Sequence, residues 1–168
     1  MYHVNEIVLY GNEGVCKIED IMTRQFADKT VEYYVLKPVY SQSSTIYVPT
    51  DNDELTEKMK RIMTSQEIVE LIESMPDADS IWVDNDNLRK EKYKSILKNG
   101  DRKEIMQLIC TLYLHQQKLK DEGKKFHAAD DKFFKDAEKI LYDEFAYVLG
   151  INQEDVIPFI SKVIEEKV

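Results

Sequence analysis

Short runs rich in Val, Ile and Tyr mark the first third of the chain. Four of them read as β-strands, at residues 4–10, 14–22, 30–38 and 44–49. Polar or glycine-containing turns separate them, at residues 11–14, 27–29 and 41–44. A fifth strand is predicted near Met59–Met63, after the polar stretch 50–57. Because strands this short do not make a wide sandwich, we predict a small, strongly bent, barrel-like sheet.

The hydrophobic period changes at Thr64. Thr64 and Glu67 have the spacing of a capping box, and the apolar residues that follow recur at helical intervals until Pro76. Residues 76–86 then form an acidic link, which contains the apolar triplet Ile81-Trp82-Val83. This pattern predicts one helix followed by an irregular connection.

Everything beyond the link is predicted to be helical. A basic helix runs from about residue 87 to 99 and stops at Gly100, a residue suited to the left-handed position after a helix end. Asp101 caps a second helix, and a third spans about 129–149. The last, about 154–166, has Pro158 either in its first turn or at a kink. We therefore predict an α+β chain, in which a small β-barrel precedes a compact all-α domain.

Charge is distributed unevenly along the 168 residues, whose formal net charge is −9. Residues 51–87 sum to −8, whereas residues 88–147 sum to +3. The segment Leu88–Lys103 alone holds seven Lys or Arg and two acids. Such asymmetry indicates that one part of a chain meets a polyanion or another polar partner. A charge run on a helix is also commonly a solvated face, and both interpretations remain open on charge alone.

The residues do not predict an enzyme or a metal site. His3, His115 and His127 fall in different elements without a matched carboxylate or cysteine, and no phosphate loop or nucleophile elbow occurs. Cys16 and Cys110 lack metal-ligand spacing, so we expect buried free thiols. No cofactor is predicted.

Membrane insertion and secretion are not expected either. No apolar run approaches the roughly 18 residues of a membrane span, and residues 1–14 lack the layout of a secretion signal. We expect a cytoplasmic protein. The tyrosines of the first region are either ordinary residues of half-buried strands or the lining of a cation cage. An exposed edge strand there could also pair with a strand of another protein.

Several segments resemble the CarD (also CdnL) family of bacterial transcription regulators. The similar segments are residues 4–10, Gly14-Val15, 32–37, 46–49, Arg89, Tyr93, 95–101 and 137–141 with Glu144. None is specific alone, but their order and spacing together are, and they extend over nearly the whole chain.

The resemblance implies a Tudor- or SH3-like domain at residues 1–63, similar to the polymerase-interacting domain of transcription-repair coupling factors. A helix and acidic linker at 64–86 and a helical DNA-binding domain at 87–168 follow. In the family the first domain binds the β subunit of RNA polymerase by extending its sheet. The second touches promoter DNA upstream of the melted region, where a tryptophan wedges into the minor groove and stabilises the open complex. We expect a monomer that reaches the nucleoid through polymerase.

The resemblance also implies roles for single residues of the first domain. Arg24 falls where a polymerase-contacting arginine occurs in well-known members. The position next to Val48 and Pro49 is usually basic in those members, and here it is Tyr47. This difference puts an ionic contact in doubt and leaves a backbone contact with polymerase untouched.

In the second domain Trp82 is the candidate wedge, although it stands further ahead of Tyr93 than usual, and a core role is the alternative. Candidate phosphate contacts are Arg89, Lys90, Lys92, Lys94, Lys98, Arg102 and Lys103, with Lys132 and Lys135 on the third helix. Because the protein is anionic, we expect weak, salt-sensitive DNA binding unless polymerase tethers it. The alternative function is an interaction adaptor that never meets DNA.

Overall fold

The computed structural model of the chain describes residues 1–41 and 44–167. The chain divides into two compact units, of which the first is Met1–Ile62 and the second begins at Met63. Strands make up the first unit and long helices the second. The predicted α+β class is therefore confirmed.

The described residues of the first unit form five strands of one antiparallel sheet. They are β1 (Ile7–Tyr10), β2 (Gly14–Phe26), β3 (Lys29–Pro38), β4 (Ile46–Pro49) and β5 (Met59–Arg61), in the spatial order β4-β3-β2-β1-β5. The predicted fifth strand is thus confirmed. A short helix that was not predicted, α1 (Asp53–Thr56), precedes it, and the Asn52 side chain caps α1 by accepting the Leu55 N–H at 3.1 Å.

The sheet is open, with β4 and β5 at its edges. Within the part of the chain that the structure describes, no pairing joins these two edges, so closure into a Tudor- or SH3-like barrel stays a prediction. A shift of register between Ile18 and Asp20 interrupts β2, and such bulges bend a strand and increase its twist. Gln42 and Ser43 of the third predicted turn lie outside the described residues.

The hairpin of β2 and β3 is longer than the sequence predicted. The two strands stay paired up to Phe26 and Lys29 and turn through Ala27 and Asp28 alone. Ala27 has a φ of +49°, a left-handed conformation that tight turns impose. Residues 23–29 are exposed on both faces, and without alternation of apolar and polar residues nothing in the sequence marks them as strand.

One face of this sheet buries the core of the first unit. Its members are Val8, Cys16, Ile18, Tyr34, Leu36, Val48 and Met59. Cys16 is a free thiol, as predicted, and burial raises its pKa to about 12. The thiol therefore stays protonated and packs as a small apolar group.

Five helices of ten residues or more build the second unit, among the residues that the structure describes. They are α2 (Ser65–Ser74), α3 (Asp86–Asn99), α4 (Arg102–Asp121), α5 (Ala128–Leu149) and α6 (Val156–Lys167). The residues that the sequence predicts at the ends of these helices are found there. Thr64 and Glu67 complete the capping box, Gly100 takes the left-handed position with a φ of +70°, and Pro158 lies in the first turn of α6.

The packing centres on α4 and α5. α3 contacts both of them, and α2 contacts α5 and α6. Fully buried side chains at the centre include Tyr93, Ile105, Met106, Leu108, Leu112, Leu141 and Phe145. Burying each large apolar side chain contributes about 1.5–3 kcal/mol. Over residues 1–41 and 44–167, no helix has the length and apolar character needed to cross a membrane.

Candidate functional site

Arg89 lies on the inner side of α3 and is only 4% exposed. Its Nε and Nη2 donate to the two carboxylate oxygens of the buried Asp130 on α5, at 3.0 and 3.2 Å. Nη2 is also 2.9 Å from the Asp86 carboxylate. A two-point contact between guanidinium and carboxylate fixes the plane of both groups. Arg89 therefore fastens α3 to α5, in a fixed orientation.

The same guanidinium holds the chain segment that precedes α3. Its Nη1 donates to the Val83 carbonyl at 3.0 Å and to the Asp84 carbonyl at 3.4 Å. The guanidinium carbon is 4.3 Å from the centre of the Trp82 ring, within the range of a cation–π contact. One buried cation thus connects the end of the acidic link to two helices.

Trp82 is half-buried, and α4 holds it as well. The His115 imidazole stacks on the indole, with ring centres 3.6 Å apart and an angle of 20° between the planes. The indole Nε1–H donates to Asp84 Oδ1 at 3.0 Å, and the neighbouring Ile81 N–H donates to Thr111 Oγ1 at 3.0 Å. The residue remains partly exposed while the orientation of its ring is fixed.

The surroundings of His115 disfavour its protonation. Burial is the largest cause of its lowered pKa, and the nearby charges of Arg89, Lys118 and His127 act in the same direction, whereas Asp130 opposes them. Since the unperturbed value is near 6.5, the imidazole stacked on the indole is neutral at physiological pH.

The outer side of α3 carries Lys90, Lys94 and Lys98, which we call the lysine row. Residues four apart lie one above another on a helix, so the row extends over about 12 Å. All three side chains are exposed. Among the described residues none of the three amino groups forms an ion pair, which leaves their charge available to an anionic partner.

The two arginines among the predicted phosphate contacts are bound to buried carboxylates. Nε and Nη2 of Arg102 donate to the fully buried Glu144 at 3.0 and 2.7 Å, and Glu144 also accepts the Met63 N–H at 2.9 Å. Together with Arg89 on Asp130, these contacts join helices within the unit. Because donors and acceptors are 42 and 41 residues apart in sequence, local pattern did not separate these arginines from the neighbouring lysines.

The other predicted phosphate contacts are on the surface. Lys92, Lys103 and Lys132 are exposed. Lys135 is exposed as well, and its amino group is 2.9 Å from the Asp131 carboxylate one turn earlier. Exposed pairs of this kind contribute about 0–1 kcal/mol, so Lys135 can exchange Asp131 for another anion at little cost.

On the first unit, Arg24 and three aromatic rings form one exposed surface beside the β4 edge. The Arg24 guanidinium carbon is 5.3 Å from the centre of the Tyr47 ring. Tyr47 packs edge-on against Tyr33, and Tyr33 against Phe26, with ring centres 6.4 Å apart in both pairs. Tyr47 and Phe26 are 47% and 52% exposed, so this surface offers apolar area together with one cation.

Successive side chains of β4 point alternately to the core and to the surface. Val48 is buried in the core, Tyr47 points outward and Pro49 is half-buried. Within the described residues β4 pairs with β3 on one side only. The other side offers backbone groups to which an extended segment of another chain could add.

Two protein-family models match the chain, one after the other. Residues 2–63 match the CarD-like/TRCF RID domain, and residues 67–161 match the CarD C-terminal domain. Together the two matches cover most of the chain. The chain belongs to the CarD family. No curated protein sequence matches it significantly.

CarD-family membership confirms the resemblance drawn from the sequence. It places the chain among transcription regulators that interact with RNA polymerase, and both matched domains are regulatory and non-enzymatic. The gap between the matches, residues 64–66, lies just beyond Ile62, where the first compact unit ends. The two CarD domains therefore correspond to the two units.

Proposed function

We propose that this CarD-family protein binds the β subunit of RNA polymerase through its first unit and upstream promoter DNA through its second, and thereby stabilises the open complex. What supports this most directly is the position of Trp82. Trp82 is partly exposed, and its ring is held by Arg89, the residue next to Lys90 of the lysine row. Proteins that bend or open DNA combine inserted rings with cations that contact phosphates in this way.

The polymerase contact is proposed at the β4 edge. An extended segment of the β subunit that added to β4 would gain main-chain hydrogen bonds. Arg24 and Tyr47 would lie beside it and contribute side-chain contacts. Because Tyr47 is neutral, this contact should depend less on salt than one made by two cations.

Substitution of Arg24 or Tyr47 by Ala is expected to weaken polymerase binding about tenfold each, since truncating a central interface residue costs about 1–2 kcal/mol. Binding of the intact chain to RNA polymerase, followed by titration, measures this. Gln25→Ala is the matched control, because Gln25 is exposed on the same strand and points to the opposite face. Equal affinities for all four proteins would rule out this surface.

The DNA contact depends on tethering. A protein of net charge −9 is repelled by DNA at long range, and the lysine row provides only a small cationic patch. Once polymerase holds the first unit, the second meets the promoter at a high effective concentration. A weak intrinsic affinity of the second unit for DNA is then enough for promoter binding.

Trp82→Ala is expected to shorten the lifetime of the open complex about tenfold while polymerase binding stays unchanged, because a lost wedge costs on the order of 1–2 kcal/mol. A promoter dissociation assay measures the lifetime. Tyr147→Ala serves as control, since Tyr147 is a partly exposed aromatic residue near the other end of α5 from Asp130. If both variants keep the wild-type lifetime, Trp82 is not a wedge.

An interaction adaptor is the second candidate. A groove of the second unit favours it, because four acids line this groove against one cation, and such a surface repels DNA and attracts basic protein segments. The acids are Glu70, Glu73, Asp77 and Asp79, and the cation is Lys103. Footprinting of a promoter complex separates the two candidates. The adaptor adds no protection upstream of the melted region, whereas the DNA-binding regulator does.

A further inference from the structure

Two groups lie against one indole ring. The His115 ring centre is 3.6 Å from the centre of the Trp82 ring, and the Arg89 guanidinium carbon is 4.3 Å from it. Groups this close to one ring centre would overlap if they shared a face. The imidazole and the guanidinium must therefore cover opposite faces of the indole.

The nitrogen edge of the indole is occupied as well. Nε1–H donates to Asp84 Oδ1 at 3.0 Å, so a hydrogen bond from this edge to DNA would have to replace that contact. The residue nevertheless remains partly exposed. What can meet another molecule is the carbon edge away from Nε1.

We propose that Arg89 and His115 are positioning residues, which sandwich the Trp82 indole so that it meets promoter DNA by its carbon edge and does not stack face-on against a base. This inference rests on the proposed function. It gives the buried Arg89 a role through Trp82 in place of a direct phosphate contact.

The sandwich is rigid because its supports are anchored independently of Trp82. Arg89 is fixed by the two-point contact with Asp130, and His115 projects from the middle of α4. A ring ordered in advance pays less conformational entropy when it binds. Neutral His115 also avoids placing a second cation beside the Arg89 guanidinium.

The sandwich can be tested in the free, intact protein. Trp82 is the only tryptophan, so fluorescence excited at wavelengths that the ten tyrosines do not absorb reports on this ring alone. A protonated imidazole in stacking contact quenches indole emission, and we expect emission to fall with a midpoint below about pH 6.5. His115→Phe should abolish the titration and keep the stack. Arg89, Lys118, His127 and Asp130 also face His115, and His127→Gln checks that the titration does not come from His127.

Emission that is unchanged in His115→Ala, or a titration that persists in His115→Phe, would overturn the sandwich. Neither outcome depends on DNA or polymerase. Failure of the sandwich is therefore distinguishable from failure of the proposed function, which would appear as a wild-type protein that does not prolong the open complex.

The lifetime of the open complex, measured with polymerase and promoter, tests whether the sandwich orients Trp82 for its contact with DNA. His115→Ala should shorten it towards the value for Trp82→Ala, and should add nothing when combined with Trp82→Ala. Arg89→Met paired with Asp130→Leu should act likewise, and this double change removes both buried charges together so that the fold is kept. A longer lifetime in His115→Ala, as expected if a freed face could stack on a base, would overturn the edge-on contact. So would additive effects in the combined variants.

Discussion

Replacement of Glu144 by Ala is expected to lower the free energy of unfolding of the helical unit by about 3–5 kcal/mol. Glu144 is fully buried and accepts two hydrogen bonds from Arg102 and one from the Met63 N–H. Without the carboxylate, a guanidinium whose side chain is 17% exposed loses its ion pair with Glu144, and the Met63 N–H loses its hydrogen bond to Glu144. The loss is large beside the 5–15 kcal/mol that stabilises a typical domain.

Urea unfolding followed by helical circular dichroism measures this effect. Asp136→Ala is the matched control, because Asp136 is an exposed acid on the same helix and its loss should change stability by about 0.5 kcal/mol or less. Glu144→Gln keeps the shape of the side chain and should fall between the two. If Glu144→Ala and Asp136→Ala unfold at the same urea concentration, the buried pair does not stabilise the unit.

Helix ends were predictable because the chemistry that sets them is local. Thr64 and Glu67 are three residues apart, and the stop of α3 depends on Gly100 alone. Asp101 then caps α4 by accepting the Glu104 N–H at 3.1 Å. Signals of this kind lie within one turn of the boundary, so a sequence window contains all the information needed.

Strand extent was less predictable, since the length of a strand depends on its partner. The outer part of the β2–β3 hairpin is exposed on both faces and has no apolar alternation. Its strand structure comes from mutual backbone pairing around the turn at Ala27 and Asp28. Closure of the sheet is a still longer-range property, which depends on whether β4 and β5 meet, and sequence pattern carries no direct signal for it.

The candidate site was predictable in part. The three lysines of the lysine row were among the cations predicted from charge as phosphate contacts, and their contact with DNA stays a prediction. The burial of Arg89 was not predictable, because Asp130 lies 41 residues further on. The sequence shows no matched neighbour for His115, and its stacking on Trp82 appears only when α4 folds beside the link. Contacts between distant segments therefore decide which predicted cations are held inside the unit and which remain on its surface. Arg89 is held against the Trp82 ring, whereas the lysine row is exposed.

Replacement of the lysine row by Gln at all three positions is expected to flatten the salt dependence of promoter binding in the presence of polymerase. Each lost phosphate contact lowers the slope of log K against log salt by about 0.9, so the expected change is about 3 if every lysine contacts DNA. Binding of the polymerase-bound protein to promoter DNA, measured over a series of salt concentrations, gives this slope. Polymerase binding without DNA should stay unchanged, because the row lies on the second unit.

The control must change the net charge equally, since an anionic chain is sensitive to its total charge. Matched exposed lysines on the other long helices are Lys120, Lys139 and Lys162. Their replacement by Gln should leave the slope within about 0.5 of the wild-type value if charge acts locally. Equal flattening by both triple variants would mean that total charge, and not the lysine row, governs promoter binding. A wild-type slope in the row variant would instead indicate a solvated face and favour the adaptor.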